Sequence, residues 1–350
     1  IGVVLSMSIL QLTFGAYDAN DALLDNQFRL VERQDALVLF HEDRGREAVY
    51  EMQRLEGVRT VDPVLFVGVE LVNGWRSRRT ALTGLTREHS LFGLLDRDLR
   101  HVPLPEHGLL LSRTLADLLG LQVGDEVEVR VLTGRKPRFR VPVSSVVDEY
   151  LGVYAYADID TLGRWVGEPG TLTGVRLSVD PLASEDLGRE LKELPAVAAV
   201  NFKAQTVKVW VDTVEESQNI TLQILLLFSG AIIFGVLYNT SRISFAERHR
   251  ELGALRVLGF THRETAALLV SENLVLVGAS LAPGIGLGIF FSWLMTKAYT
   301  TDLFRWPFVV EMDSVFWTIV ATLGFAVLAN VAVMRQLRRL DLVEVLKARE

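Results

Sequence analysis

The stretch ITLQILLLFSGAIIFGVLY, residues 220–238, decides the fold. It lies inside a run without Asp, Glu, Lys or Arg over residues 217–241. That run is longer than the roughly 20 residues an α-helix needs to cross the hydrocarbon of a bilayer. Two more uncharged runs follow, residues 273–296 and 314–334. NLVLVGASLAPGIGLGIFFSWLM (273–295) holds Pro283 and several glycines, which membrane helices tolerate better than soluble ones. The runs predict transmembrane helices over 220–241, 265–296 and 314–334. Residues 1–17, IGVVLSMSILQLTFGAY, are uncharged as well. They show neither a basic leader nor a small-residue cleavage site, so they read as a truncated transmembrane helix 1 of a longer protein.

Composition agrees with such a mosaic. Of 350 residues, 49% are hydrophobic and 23% charged, yet mean hydropathy is +0.27. A chain nearly a quarter charged reaches a positive mean only when its apolar residues are concentrated in blocks. The chain has no cysteine, which excludes disulfides, iron–sulfur clusters, cysteine zinc sites and a cysteine nucleophile.

Arginines orient the spans. Arg242, Arg248, Arg250, Arg256 and Arg263 lie in the segment after the second span, and Arg335, Arg338, Arg339, Lys347 and Arg349 in the tail 335–350. The outer loop 297–313 carries only Lys297 and Arg305 against three acidic residues. By the positive-inside rule the Arg-rich segments are cytoplasmic. Four spans then put residues 18–215 outside, with 24 basic and 32 acidic residues, net −8, against +1 elsewhere. The expected localisation is the cell (inner) membrane, multi-pass.

The external region contains a repeat. Residues 35–68 (DALVLFHE, REAVYEMQRLEG, VRTVDPVLFVG) align without a gap, at an offset of 139, within residues 174–208. Val38 matches Leu177, Phe40 Val179, Ala48 Leu187, Met52 Leu191 and Leu55 Leu194. Each copy reads strand, amphipathic helix, strand, and two such βαβ units make a ferredoxin-like layer. Between them, LLLSRTLADLLGLQVGDEVEVRVLTG (109–134) reads helix, turn and alternating strand, and RFRVPVSSVVDEYLG follows as another strand. The fold class is thus an α+β membrane protein. Its periplasmic core domain spans 35–204, with βαβ halves 35–68 and 174–204 and an inserted β-rich subdomain at about 109–150. Leu24, Phe28 and Val31, and Val207, Val211 and Val214, recur at helical spacing and predict stalk helices over 18–34 and 205–219.

Chemistry-bearing motifs are scarce. No G-x-x-x-x-G-K-[ST] loop occurs, so ATP hydrolysis is not expected of this chain. The glycines of GIGLG (284–288) lie inside an apolar span, and Gly284 and Gly288 have the small-xxx-small spacing of close helix packing. His41, His89, His101, His107, His249 and His262 form no metal-ligand spacing. A solvated surface accounts for Asp125, Asp148, Glu149, Asp158 and Asp160, and a hairpin tip for the basic RSRRTALTG (76–84) beside Trp75. Nucleic acid is excluded as a partner there. No catalytic or metal site is expected.

The most informative segment is SFAERHRELGALRVLGFTHRETAALLVSENLVLV, 244–277. Glu247, Arg250, Glu251 and Arg256 alternate with Leu252, Leu255 and Leu258, predicting an amphipathic helix within 242–262. Gly259 closes it, and Thr261 with Glu264 makes a capping box for the next helix. A surface helix on anionic lipid is one reading. Mixed Glu and Arg leave little net charge for that, and suit docking to a protein by complementary charge and a leucine ridge.

ERHRELGALRVLGFTHRE, the Gly-rich span after it and the ending LRRLDLVEVLKARE resemble the FtsX/MacB-type permeases of ABC systems. LSRTLADLLGLQVGDEVEV followed by VVDEYLG is similar to that family's periplasmic core domain. The resemblance implies four spans, an external domain after the first, and a cytoplasmic coupling helix that engages a separate ATPase dimer. It maps onto Glu247–Phe260, with Glu247, Arg248, Arg250, Glu251, Leu255, Arg256, Gly259 and Phe260 as docking residues. ATP and Mg would sit on the partner, with no cofactor in this chain. Other implied partners are a second permease module (a homodimer mate or the upstream half of the same protein), membrane lipid and an extracytoplasmic client. The expected function is export, extraction or release of a lipophilic compound, peptide or lipoprotein by mechanotransmission. The alternative is a signalling or scaffold protein that activates an external enzyme such as a cell-wall hydrolase.

Overall fold

The computed structural model describes residues 1–88, 90–96, 100–149, 152–258, 260–298 and 307–338. The chain divides into two compact units. One spans 22–213 and mixes helix and sheet; the other is helical and draws on residues 1–21, 214–298 and those from 308 onward.

The β-rich unit contains nine strands among the described residues: β1 (Ala36–Arg44), β2 (Val58–Asn73), β3 (Arg76–Leu85), β4 (Leu109–Ser112), β5 (Glu126–Val131), β6 (Arg138–Val147), β7 (Ala155–Asp158), β8 (Leu172–Val179) and β9 (Val197–Phe202). At one end β2, β8, β1 and β9 lie side by side, each neighbour antiparallel. Helices α2 (Glu47–Gln53) and α5 (Ser184–Glu193) bury Ala48 with Met52 and Leu187 with Leu191, each pair one turn apart. All ten residues matched by the repeat meet in this single core, where Val38, Phe40, Leu177 and Val179 are buried and Leu55 and Leu194 pack at its margin.

The intervening chain is more than an inserted patch at 109–150. β2 also pairs with β3 and β5, β3 with β7, β7 with β4, β4 with β6 and β6 with β5. These pairings close a ring of six strands. Its interior is filled by alternating residues such as Val67, Val69 and Leu71 of β2 and Val127, Val129 and Val131 of β5. β2 is long enough to serve both assemblies: Val64 pairs with Gly174 of β8 and with Leu85 of β3. The first βαβ half therefore extends to Asn73 rather than ending at 68. RSRRTALTG is strand β3 itself, and the hairpin tip is Gly74–Trp75. α3 (Arg113–Leu119) starts on Ser112, whose Oγ accepts from the Leu115 amide, and ends on Gly120 in the left-handed region. α4 (Ile159–Val166) starts in the same way on Asp158, which accepts from the Thr161 amide.

The helical unit is built from α1 (Gly2–Asp25), α6 (Lys203–Val257), α7 (His262–Ala298) and α8 (Met312–Arg338). Val3 and Met7 of α1, Ile233 and Leu237 of α6, Val277 of α7 and Ala326 and Ala329 of α8 share one core. Large apolar side chains on the other faces, including Leu227, Phe228, Val275, Phe316 and Trp317, are exposed. Helices without charge that expose such residues are suited to lipid, not water. Three helices among the described residues are long and apolar enough to cross a membrane: Lys203–Arg248, Val270–Ala298 and Met312–Arg335.

The helix boundaries differ from the sequence expectation in two places. The span at 1–17 and the stalk 18–34 form one helix to Asp25, followed by a π-helical turn at Asn26–Val31. The stalk 205–219, span 220–241 and first part of the segment 242–262 are one 55-residue helix. No proline and only Gly230 and Gly235 interrupt residues 203–252, so the backbone has no reason to break where the side chains turn from apolar to charged. Phe202 ends β9 and Lys203 begins α6 with no loop between, which also moves the second strand of the repeat to an earlier end than 208.

Candidate functional site

The Glu/Arg-rich segment occupies the C-terminal end of α6 and the turn into α7. Glu247, Arg248 and Glu251 are exposed, and Phe260 is about half exposed at 47%. Arg250, Leu255 and Arg256 lie in the helical backbone of α6, but their side chains, and Gly259, fall outside the described residues. Leu258, 77% exposed, is left on the surface beside Phe260. The capping box has the expected reciprocity. The Thr261 amide donates to Glu264 Oε2 at 2.8 Å, and the Glu264 amide donates to Thr261 Oγ1 at 3.3 Å.

Polar contacts tie this end of α6 to its neighbours. Ser241, Ser244 and Arg248 follow one another at i, i+3 and i+7 on one face. Ser244 Oγ donates to the Glu272 carboxylate of α7 at 3.3 Å, and Arg248 lies 3.9 Å from it. Asn273, buried, donates through Nδ2 to Ser241 Oγ and to Asn330 Oδ1 of α8, both at 2.7 Å. Sequence reasoning passed over Ser241, Asn273 and Asn330. Their signal was a polar side chain inside an uncharged run. At the start of α8, buried Asp18 of α1 accepts from the Glu311 amide at 2.9 Å and from Ser314 Oγ. It satisfies donors that the first helical turn leaves open.

Gly284 and Gly288 face α1. A Cβ at Gly284 would stand 2.8 Å from Met7 Cβ, and one at Gly288 2.5 Å from Gln11 Cβ and 3.0 Å from the Ser8 carbonyl oxygen. Gly286, between them, has open space. Among the described residues, no group of three or more His, Cys, Asp or Glu is placed to hold a metal ion.

The β-rich unit holds a cavity of about 160 Å³ lined by Gln34, Phe66, Phe92, Glu149, Tyr154 and Arg176, among others. Tyr156 donates to Glu149 Oε1 at 2.7 Å, while Glu149 Oε2 is buried without a hydrogen-bond partner among the described residues. Burial, only partly offset by the tyrosine hydrogen bond, pushes the Glu149 carboxyl up to about 7. Burial and the nearby Glu149 charge push the Tyr156 phenol well above its ordinary range.

Comparison with known proteins gives the chain its relatives. A protein of Mycobacterium tuberculosis (strain ATCC 25618 / H37Rv) described as an uncharacterized ABC transporter permease protein, Rv0987, is 27% identical over 218 residues. The alignment takes in 60% of this chain and 25% of that protein, so the chain matches about a quarter of its relative's length. Among solved structures, the periplasmic region of MacB from Actinobacillus actinomycetemcomitans matches with a TM-score of 0.36 and 12% identity, over 53% of this chain and 96% of that one. The extracellular domain of the noncanonic ABC-type transporter YknZ from Gram-positive bacteria matches at 0.33 and 14%, over 48% and 99%. Residues 223–342, which take in the apolar part of α6 and all of α7 and α8, match the FtsX-like permease C-terminal family. That segment of the chain is thus similar to FtsX-like permeases, and three helices among the described residues are long and apolar enough to cross a bilayer.

Proposed function

We propose that this chain is the permease module of an ABC system of the cell (inner) membrane and works by mechanotransmission. A separate cytoplasmic ATPase dimer, carrying ATP and Mg, docks on Glu247–Phe260 and moves that segment as it closes. The motion passes along α6 to an external domain that expels, extracts or releases a lipophilic compound, peptide or lipoprotein. In this reading α1 is a fourth span, packed on Gly284 and Gly288, and the β2–β8–β1–β9 layer with its two helices is ferredoxin-like. The observation that carries it is the unbroken helix from Lys203 to Val257, which follows β9 without a loop. A continuous helix transmits axial displacement, where a linker would absorb it.

The test measures ATPase stimulation in membranes holding this chain and its co-purified ATPase. Arg250→Glu combined with Arg256→Glu should abolish stimulation while expression and thermal stability stay unchanged. Stimulation at the wild-type level would remove the docking assignment. Introducing two prolines at Gln218 and Asn219 should leave docking intact and uncouple the external domain. A client that is still released by that variant would end the transmission reading.

A further inference from the structure

Arg176, on β8, is 4% exposed and lines the cavity of the β-rich unit. Its guanidinium stands 4.4 Å from the centre of the Phe92 ring and 5.9 Å from that of Phe66. No hydrogen bond or ion pair joins it to another described residue. Asp62, its register partner on β2, is occupied elsewhere: its Oδ2 accepts from the amides of Ser90 at 2.8 Å and Leu91 at 2.7 Å. Burial lowers the arginine's pKa to about 10, which leaves it charged at neutral pH. The carboxylates of Glu32 and Asp62 act on it through space, but its donors meet no acceptor among the described residues, an unfavourable arrangement for a fold to keep for its own stability.

Two further polar atoms of the cavity lining lack partners. Gln34 Oε1 and Glu149 Oε2 are both buried and accept no hydrogen bond from a described residue. The lining is largely apolar, with Phe66, Phe92, Tyr154 and Tyr156, and it also includes the carboxylates of Glu32, Asp96 and Asp148. An aromatic chamber with a few convergent unsatisfied polar groups is the usual make-up of a small-molecule site. Its volume, about 160 Å³, is close to the roughly 150 Å³ of a cavity that takes up one benzene ring.

We propose that this cavity binds a small amphipathic monoanion, a carboxylate on an apolar body of about six to nine carbons. The carboxylate pairs with Arg176, the apolar body lies among Phe66, Phe92 and Tyr154, and a donor on the ligand meets Gln34 Oε1. Planar two-point pairing with a guanidinium favours a carboxylate. The carboxylate belongs either to a free organic acid or to the C-terminus of a peptide ending in an apolar residue. The proposal concerns the β-rich unit alone and stands whether or not the chain couples to an ATPase.

The experiment is calorimetric titration of the full chain in detergent, without nucleotide. Phenylpropionate is compared with phenylpropanol, and N-acetyl-leucyl-phenylalanine with its C-terminal amide. In at least one pair the acid should bind about tenfold or more tightly than its neutral partner, as loss of a charged hydrogen bond requires. The pair with the tighter acid names the source of the carboxylate. Arg176→Met should lose this preference while its melting temperature stays level, because Glu32 keeps its donors from Gln27 and Gln34 and Asp62 its donors from the Ser90 and Leu91 amides. A purely structural arginine would instead lower it. Acids and neutral partners that bind alike, no binding by any probe, or a preference that survives in Arg176→Met would each overturn the proposal. Should Arg176→Met fail to fold, the wild-type comparison of acid with neutral partner decides alone.

Discussion

Asn273 and Asn330 are joined by a hydrogen bond of 2.7 Å between two buried side chains, on helices that otherwise meet through apolar surface. In hydrocarbon such a bond has no water to replace it. Asn273→Leu should leave Asn330 Oδ1 unpaired and destabilise the helical unit by about 1–2 kcal/mol. The double variant Asn273→Leu, Asn330→Leu should recover part of that. Unfolding in mixed detergent micelles reads both, and equal losses in the single and double variants would show that the pair is not coupled.

The glycines of α7 differ sharply in what surrounds them. Gly288→Ala and Gly284→Ala should each destabilise the unit by about 1–3 kcal/mol, because a new Cβ meets α1 at contact distances no side chain tolerates. Gly286→Ala, which points into open space, should be neutral or slightly stabilising. The thermal stability of the three variants in one detergent separates packing from helix propensity.

Asp18 holds the first turn of α8 through the Glu311 amide and the Ser314 hydroxyl. Asp18→Ala should cost about 1–2 kcal/mol. Amide exchange at residues 311–315 should accelerate, with α6 and α7 unaffected. Uniform acceleration through the bundle would instead mean that Asp18 supports global packing.

Glu149 makes the stability of the β-rich unit depend on pH. Its carboxyl is raised to about 7 in the fold by burial, so below the ordinary glutamate range it is protonated in folded and unfolded chains alike. Between that range and about 7 the unfolded chain releases its proton and the folded one retains it. Stability therefore falls as pH rises through this window and levels off above it, a difference on the order of 3 kcal/mol. Glu149→Gln should flatten the profile between pH about 5 and 8. A slope unchanged in that variant would place the titrating group elsewhere.

The three long apolar helices were legible because they depend on a one-dimensional quantity, the length of a charge-free run. The repeat was legible for a similar reason. Val38 and Leu177, or Met52 and Leu191, repeat a spacing that survives wherever their strands come to lie, and they do meet in one core. The closed ring was not legible, because which strand pairs with which is decided by three-dimensional register. Nothing local in Ala155–Asp158 announces that it will lie parallel to β3 and antiparallel to β4. The cavity escaped for the same reason. Arg176 sits in an alternating strand like any exposed arginine, and only the packing of Phe66 and Phe92 over it reveals that it is enclosed. The boundaries within α6 were drawn from a change of polarity, but the helix responds to backbone breakers, and it contains no proline.

The double pairing of Val64 has an evolutionary consequence. Every strand of the ring comes from the contiguous stretch 64–158, while the antiparallel layer is drawn from 36–64 and 172–202. The ring is thus a graft with one host strand, entering where β2 leaves β8 and returning before β8 begins. The offset of 139 between the two βαβ copies records the length of that graft plus the unit it interrupts. A lineage could exchange the whole ring for a longer or shorter one without disturbing the register of the host layer, provided that the strand through Val64 ran straight.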